Sequence, residues 1–166
     1  MSMNRTVQDA LNQQINAELG ASYEYLAMSA WCSSQNLLGS AKWLRFQSQE
    51  EYGHAMKLFD FVLARGGDVA LQEMPAPAQK FSTLHSIFDR VLKQEQSVSQ
   101  QIDALYELAF KEKAYSATVE LQWFLAEQVE EEKSAREIVA NLSLIGSDAA
   151  ALLDFDRELG NRTTAA

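Results

Sequence analysis

Apolar residues recur along this chain at alternating spacings of three and four, and no stretch alternates with a period of two. Every long segment is therefore predicted helical. The first runs over about 6–35, opened by Thr6 as N-cap and interrupted only by Gly20. Asn36 to Gly39 reads as a short turn. The second helix covers 40–65, where Gly66-Gly67 stops it. Asp68 to Phe81 contains Pro75 and Pro77 and shows neither period, so it is a long connection. Ser82 or Thr83 caps a third helix over 83–110, Lys111 to Lys113 is a polar junction, and a fourth helix spans 114–145. Gly146 ends it, Ser147 or Asp148 caps a short fifth helix over 148–159, and a tail follows from Gly160.

Short connections make neighbouring helices antiparallel. The long connection reaches about 45 Å when extended, enough to run the length of helices roughly 40 to 48 Å long. The expected fold class is all-α: one domain over residues 1–166, a four-helix bundle with a long crossover between helices 2 and 3 and a short fifth helix.

The inward stripes are not purely apolar. Helix 1 reads Val7, Leu11, Gln14, Glu18, Ala21, Tyr25, Met28, Cys32, and helix 2 reads Leu44, Gln47, Glu51, His54, Leu58, Phe61. Helix 3 reads Phe88, Val91, Glu95, Val98, Ile102, Leu105, and helix 4 reads Leu121, Phe124, Gln128, Glu131, Ala135, Ile138, Leu142. All four carry a carboxylate part-way along. An ionised carboxylate in a dry core costs several kcal/mol unless it is paired or bound to metal. Few lysines or arginines fall on these stripes, so a metal ion is the economical counter-charge.

Spacing strengthens this. Glu18 precedes Glu51 by 33 residues and His54 by 36; Glu95 precedes Gln128 by 33 and Glu131 by 36. One shift of 77 maps the first set onto the second. Two hairpins so matched would meet about a pseudo-twofold axis and set two metals side by side. Taken singly, each residue has a plainer reading. A lone glutamate faces solvent, a lone histidine packs in a core, and the run Glu127 to Glu132 is a solvated face. The recurrence is what argues for a centre of Glu18, Glu51, His54, Glu95, Gln128 and Glu131. Carboxylates with one imidazole suit iron or manganese before copper or structural zinc. Tyr25 lies two turns beyond Glu18 on the same stripe. It is either core or a phenol bonded to a ligand carboxylate.

Composition narrows the partners. With 14 basic and 23 acidic residues the net charge is −9, which disfavours a nucleic-acid backbone and favours cations. The opening Met-Ser-Met-Asn-Arg carries no apolar signal region. The longest uncharged run, Tyr25 to Ala41, contains four serines and is no membrane span. A single cysteine, Cys32, excludes an internal disulfide and any Cys-x-x-Cys motif. A soluble, cytoplasmic protein without nucleic-acid or membrane partners is expected.

The set Glu18, Glu51-x-x-His54, Glu95, Gln128-x-x-Glu131 resembles the ferroxidase centre of the ferritin family, a general pattern already known for ferritin-like di-iron bundles. The resemblance covers nearly the whole chain, and Ala126-Glu127-Gln128-Val129-Glu130-Glu131-Glu132-Lys133 is similar to the fourth-helix signature of bacterial non-haem ferritins. Bacterioferritins carry a second Glu-x-x-His on helix 4, where this chain has Gln128 and Glu131. They also place a haem-ligating methionine where it has Tyr52, so the resemblance implies no haem. It implies one iron at Glu18, Glu51 and His54, and a second at Glu95 and Glu131 with Glu51 shared and Gln128 a weak ligand. A third site would use Glu50, Glu127, Glu130 and the shared Glu131. Tyr25 matches a tyrosine thought to supply an electron. The implied activity is oxidation of Fe(II) by dioxygen or peroxide and storage of Fe(III) as mineral inside a homo-oligomeric shell of 24 subunits. The rivals are a non-storage di-iron or di-manganese oxidase or catalase, and a structural bundle whose carboxylates pair with polar neighbours.

Overall fold

A computed structural model of the chain describes residues 3–163. Five helices follow in order: α1 Arg5–Ser34, α2 Leu38–Ala64, α3 Leu84–Lys111, α4 Tyr115–Ile145 and α5 Ala149–Leu159. The first two residues of the opening segment and the last three of the tail lie outside the described residues. No helix among those described is long and apolar enough to cross a membrane.

Helix ends follow local chemistry, with small departures from expectation. Asn4, not Thr6, caps α1 by accepting from the Val7 N–H at 3.2 Å. Thr83 caps α3 in a reciprocal box with Ser86, and Asp148 caps α5. Three helices end on a left-handed residue, Asn36, Gly66 and Lys113, with φ of 58°, 68° and 55°. In each, the next N–H reaches back to a carbonyl of the last turn: Leu37 to Cys32 and Gly67 to Val62 at 2.9 Å, Ala114 to Ala109 at 2.8 Å. The tight reversal at Asn36 lets α2 restart at Leu38, two residues before Ser40.

Cross-links show the topology. Ser29 on α1 meets Ala41 on α2, and Ser22 meets Ser48, so these helices run antiparallel. Tyr25 meets Glu95, and Asn4 meets Glu112, so α3 also runs against α1 and hence parallel to α2. Gln128 meets Glu95, and Gln47 meets Glu131, which sets α4 against both. This is the bundle with one long crossover.

The crossover is strapped to α1. Asn12 donates to the Asp68 carbonyl at 2.8 Å and accepts from the Ala70 N–H at 2.9 Å. One turn on, Asn16 donates to the Ala70 carbonyl at 2.9 Å and accepts from the Gln72 N–H at 2.8 Å. Gln8 accepts from the Asp68 N–H. The register works because four helical residues rise about 6.0 Å and two extended residues about 6.6 Å. Three amides on one helix face thus act as an adjoining strand for residues 68, 70 and 72.

Helix α5 supplies what α2 lacks. The N-cap position Leu37 offers no side-chain bond, and the buried Asp156 of α5 takes its place. Its carboxylate accepts from the N–H groups of Gly39 (3.1 Å) and Ser40 (2.7 Å) and from the Ser40 hydroxyl (2.6 Å). The approach requires glycine: a Cβ on Gly39 would lie 1.7 Å from the Asp156 carbonyl oxygen.

Two apolar clusters fill the bundle, each with residues from α1 to α4. One gathers Tyr25, Met28, Leu44, Phe88, Val91 and Ile138 with Phe155 of α5; the other gathers Leu11, Ile15, Leu58, Ile102, Leu121 and Phe124. The stripes are buried as expected except at Phe61, which is only partly covered while Val62 closes the α2 stripe.

Two substitutions test these contacts. Asn12→Ala removes two bonds and leaves loop groups unmatched; unfolding by urea should show a loss of about 2 kcal/mol, with faster proteolysis in 68–72. Gly39→Ala should release α5 from α2, seen as faster amide exchange in 149–159; unchanged protection there would contradict the close-packing account.

Candidate metal centre

Between the two apolar clusters lies a belt of polar side chains. Helix α1 contributes Gln14, Glu18 and Tyr25, α2 contributes Gln47, Glu51 and His54, α3 Glu95, and α4 Gln128 and Glu131; all are buried. Each lies on the same stripe as its apolar neighbours, so helical periodicity alone turns it inward.

Some of these groups have protein partners. Gln14 donates to Glu18 Oε1 at 3.0 Å and Gln47 to Glu131 Oε2 at 2.9 Å. The Tyr25 hydroxyl donates to Glu95 Oε1 at 2.5 Å, and Gln128 donates to Glu95 Oε2 at 3.1 Å. Tyr25 is thus the hydrogen-bonded phenol of the two alternatives. Others are less well matched: Glu18 Oε2 and both oxygens of Glu51 are buried without a hydrogen bond, and His54 Nδ1 stands 3.4 Å from Glu51 Oε2. Such orphaned acceptors are what a bound cation would satisfy.

Electrostatics agree. Burial, then the neighbouring Glu18 and Glu95, pushes the Glu51 carboxyl well above the usual range. Burial also raises Glu95, against the opposing donors Tyr25 and Gln128. Glu131 is pushed up to about 8 by burial, Glu95 and Glu50, with Gln47 opposing. Burial lowers His54, against Glu18 and Glu127, so its ring is neutral and keeps a lone pair for a metal. The phenol of Tyr25 is raised well above 10 by burial and by Glu95, and stays protonated.

The donor atoms of Glu18, Glu51 and His54 lie within 4.8 Å of one another, and so do those of His54, Glu127 and Glu131. The first group is the set expected for one metal. The second differs from the expected partner set: Glu127, assigned by resemblance to a third site, joins Glu131 at His54. Glu95 stands outside both groups, and its two oxygens accept from Tyr25 and Gln128. An oxygen-rich set with one imidazole fits iron. The Trp123 ring stands edge-on to His54 with centroids 5.3 Å apart and holds its plane.

Beside the belt is a recess of about 180 Å³ lined by Glu50, Glu127, Glu130 and Glu131. These are the four residues of the third expected site. Glu50 is buried, Glu127 half-buried and Glu130 exposed. The recess also contains Arg162, whose Nη2 donates to Glu50 Oε2 at 2.6 Å. Nothing in the sequence pattern signals this arginine, which lies beyond the last helix and 112 residues from its partner. Gln14 and Gln47 stand on the inward stripes, but nothing in the sequence pattern signals that they bond to carboxylates.

Comparison with known proteins gives a consistent family. A model described as "Ferritin-like domain" matches residues 8–145. The chain is 36% identical over 164 residues to a probable bacterial non-heme ferritin-like protein of Haemophilus influenzae, covering 99% of both. It is 37% identical to the bacterial non-heme ferritin of Staphylococcus saprophyticus, covering 97% of this chain and 96% of that one. Among solved structures, an open pore ferritin from the hyperthermophilic archaeon Archaeoglobus fulgidus superposes with a TM-score of 0.97 at 44% identity, covering 98% of this chain and 100% of the other.

The raised carboxyls make stability depend on pH. In the metal-free fold Glu51, Glu95 and Glu131 keep protons that they lose in the unfolded chain above an ordinary value of 4.5. The folded state therefore binds more protons between about pH 4.5 and 8, and stability falls as pH rises through that window. His54, lowered from its ordinary 6.5, acts oppositely, one imidazole against three carboxyls. Calorimetry should show the metal-free Tm falling from pH 5 to pH 8, with a divalent cation restoring more at pH 8. A metal-free Tm rising over that range would refute this account.

Proposed function

The chain belongs to the ferritin family, and from that premise we propose that it is an iron-storing, non-haem ferritin whose bundle centre oxidises Fe(II). The observation that carries the reading is the set of orphaned oxygens on Glu18 and Glu51 beside a neutral His54, in a belt closed at both ends by apolar core. A structural bundle would have partnered those oxygens internally.

Iron is the substrate. Glu18, Glu51 and His54 take one Fe(II); Glu51, Glu95 and Glu131 take the second, with Gln128 a weaker, neutral neighbour. The second ion requires Glu95 to exchange a hydrogen bond for a metal bond. Each raised carboxyl releases its proton as metal arrives, so uptake strengthens with rising pH. Anionic oxygens then favour Fe(III) over Fe(II). Two Fe(II) give one electron each to dioxygen, which takes two protons and leaves as peroxide; given to peroxide together with two protons, the same two electrons yield two waters. Tyr25 keeps its own proton, donates it in a hydrogen bond to Glu95 and orients that carboxylate, and its phenol can lend a further electron.

Fe(III) passes to a mineral inside a shell of copies of this chain, of 24 subunits by family pattern, working in the cytoplasm. Glu50, Glu127 and Glu130 with Glu131 form a third position on the route between centre and interior.

The test is anaerobic Fe(II) addition to metal-free protein followed by dioxygen, monitored by ferric absorbance. A fast phase of about two irons per chain is expected, slowed at least about tenfold in Glu18→Ala and Glu95→Ala. Equal, slow oxidation in all three would return these glutamates to a structural role.

A further inference from the structure

The acidic recess beside the centre already holds a cation, and it is part of the chain. The guanidinium of Arg162 pairs with Glu50 at 2.6 Å, with side chains only 16% and 4% exposed. It lies 4.8 Å from the Trp43 ring centroid and 5.9 Å from that of Phe46, and it donates to the Trp43 carbonyl at 3.4 Å. Aromatic faces and a carboxylate together make a seat for a planar guanidinium cation.

The approach of Arg162 is fixed upstream. Asp156 is bound to the start of α2, and Lys42 donates to the Gly160 carbonyl at 3.0 Å. The chain therefore leaves α5 beside Trp43, and Arg162 sits three residues beyond Leu159, where its side chain can swing without unwinding the helix.

We propose that Arg162 is a tethered counter-cation that fills the third metal position and must be displaced before an ion binds there. The inference rests on the reading of the belt as a paired metal centre. Metal and guanidinium compete for one carboxylate, Glu50, in one recess. An ion entering must break the Glu50–Arg162 pair, and an ion leaving is followed by the arginine, which restores the pair. Glu131 belongs both to the recess and to the group around His54, so occupancy of the recess is felt at the centre. The arginine thus holds the third position to transient occupancy and makes it a passage.

Zn(II), which is redox-inert, tests this without turnover. Metal-free assembled protein is titrated by calorimetry as parent, Arg162→Gln, Arg162→Lys and Glu50→Gln, with helicity and particle size checked for each. Two tight ions per chain report the paired centre, and their loss would sink the proposed function. The third ion reports Arg162 independently, through the difference between parent and variant. In Arg162→Gln it should bind about tenfold tighter or more than in the parent, while Arg162→Lys stays near the parent and Glu50→Gln loses it. The metal-free Tm of Arg162→Gln should also fall and be recovered by Zn(II), because the Glu50–Arg162 pair is gone and the ion replaces it. Third-ion affinity unchanged or weakened in Arg162→Gln would overturn the proposal, as would Arg162→Lys binding as tightly as Arg162→Gln.

Discussion

Carboxylates buried in a helical interior without enough donors or cations to match them are the constraint on which the rest of this molecule depends. Each costs several kcal/mol to desolvate, and the belt holds Glu18, Glu51, Glu95 and Glu131 together. The surroundings limit the cost where they can. Gln14, Gln47, Gln128 and Tyr25 donate to three of the four, and protons remain on carboxyls that would lose them in water. Glu51 receives no such donor. The fold is therefore incomplete at that residue, and chemistry that supplies positive charge there completes it.

The same logic extends outward through the fifth helix. Asp156 closes the start of α2 from 116 residues away and Arg162 neutralises Glu50 from 112. Both are local electrostatic needs of α2, one of bare N–H groups and one of a buried carboxylate. The short helix meets the first, and the chain that leaves it meets the second. It is therefore a working part of the bundle, tied to the recess by the chain that leaves it.

Much of this was legible in the sequence because helical periodicity has a fixed pitch. Once Leu44 and Leu58 are inward, Glu51 and His54 must be too, and the repeated spacing from Glu18 and Glu95 then brings four helices to one level. Helix boundaries at Gly66 and Gly146 were legible through backbone preference. The reversals at Asn36 and Lys113 were less so, since neither residue is compelled to adopt positive φ. What escaped were contacts set by tertiary geometry. The amide strap of Gln8, Asn12 and Asn16 holds a loop of no periodicity, and Arg162 follows the last periodic residue. Rotamer choice escaped as well: Glu127 faces His54, a preference that spacing along α4 does not distinguish from facing Glu130.

The division of the interior into two apolar clusters has a mechanical consequence. Each cluster draws on all four long helices, so either end of the bundle is held by its own packing. The belt between them is joined chiefly by hydrogen bonds and charge. An exchange of partners among side chains there uncovers little apolar area at either end. Apolar packing thus clamps the molecule at both ends, and a change of partner in the polar waist leaves both clamps in place.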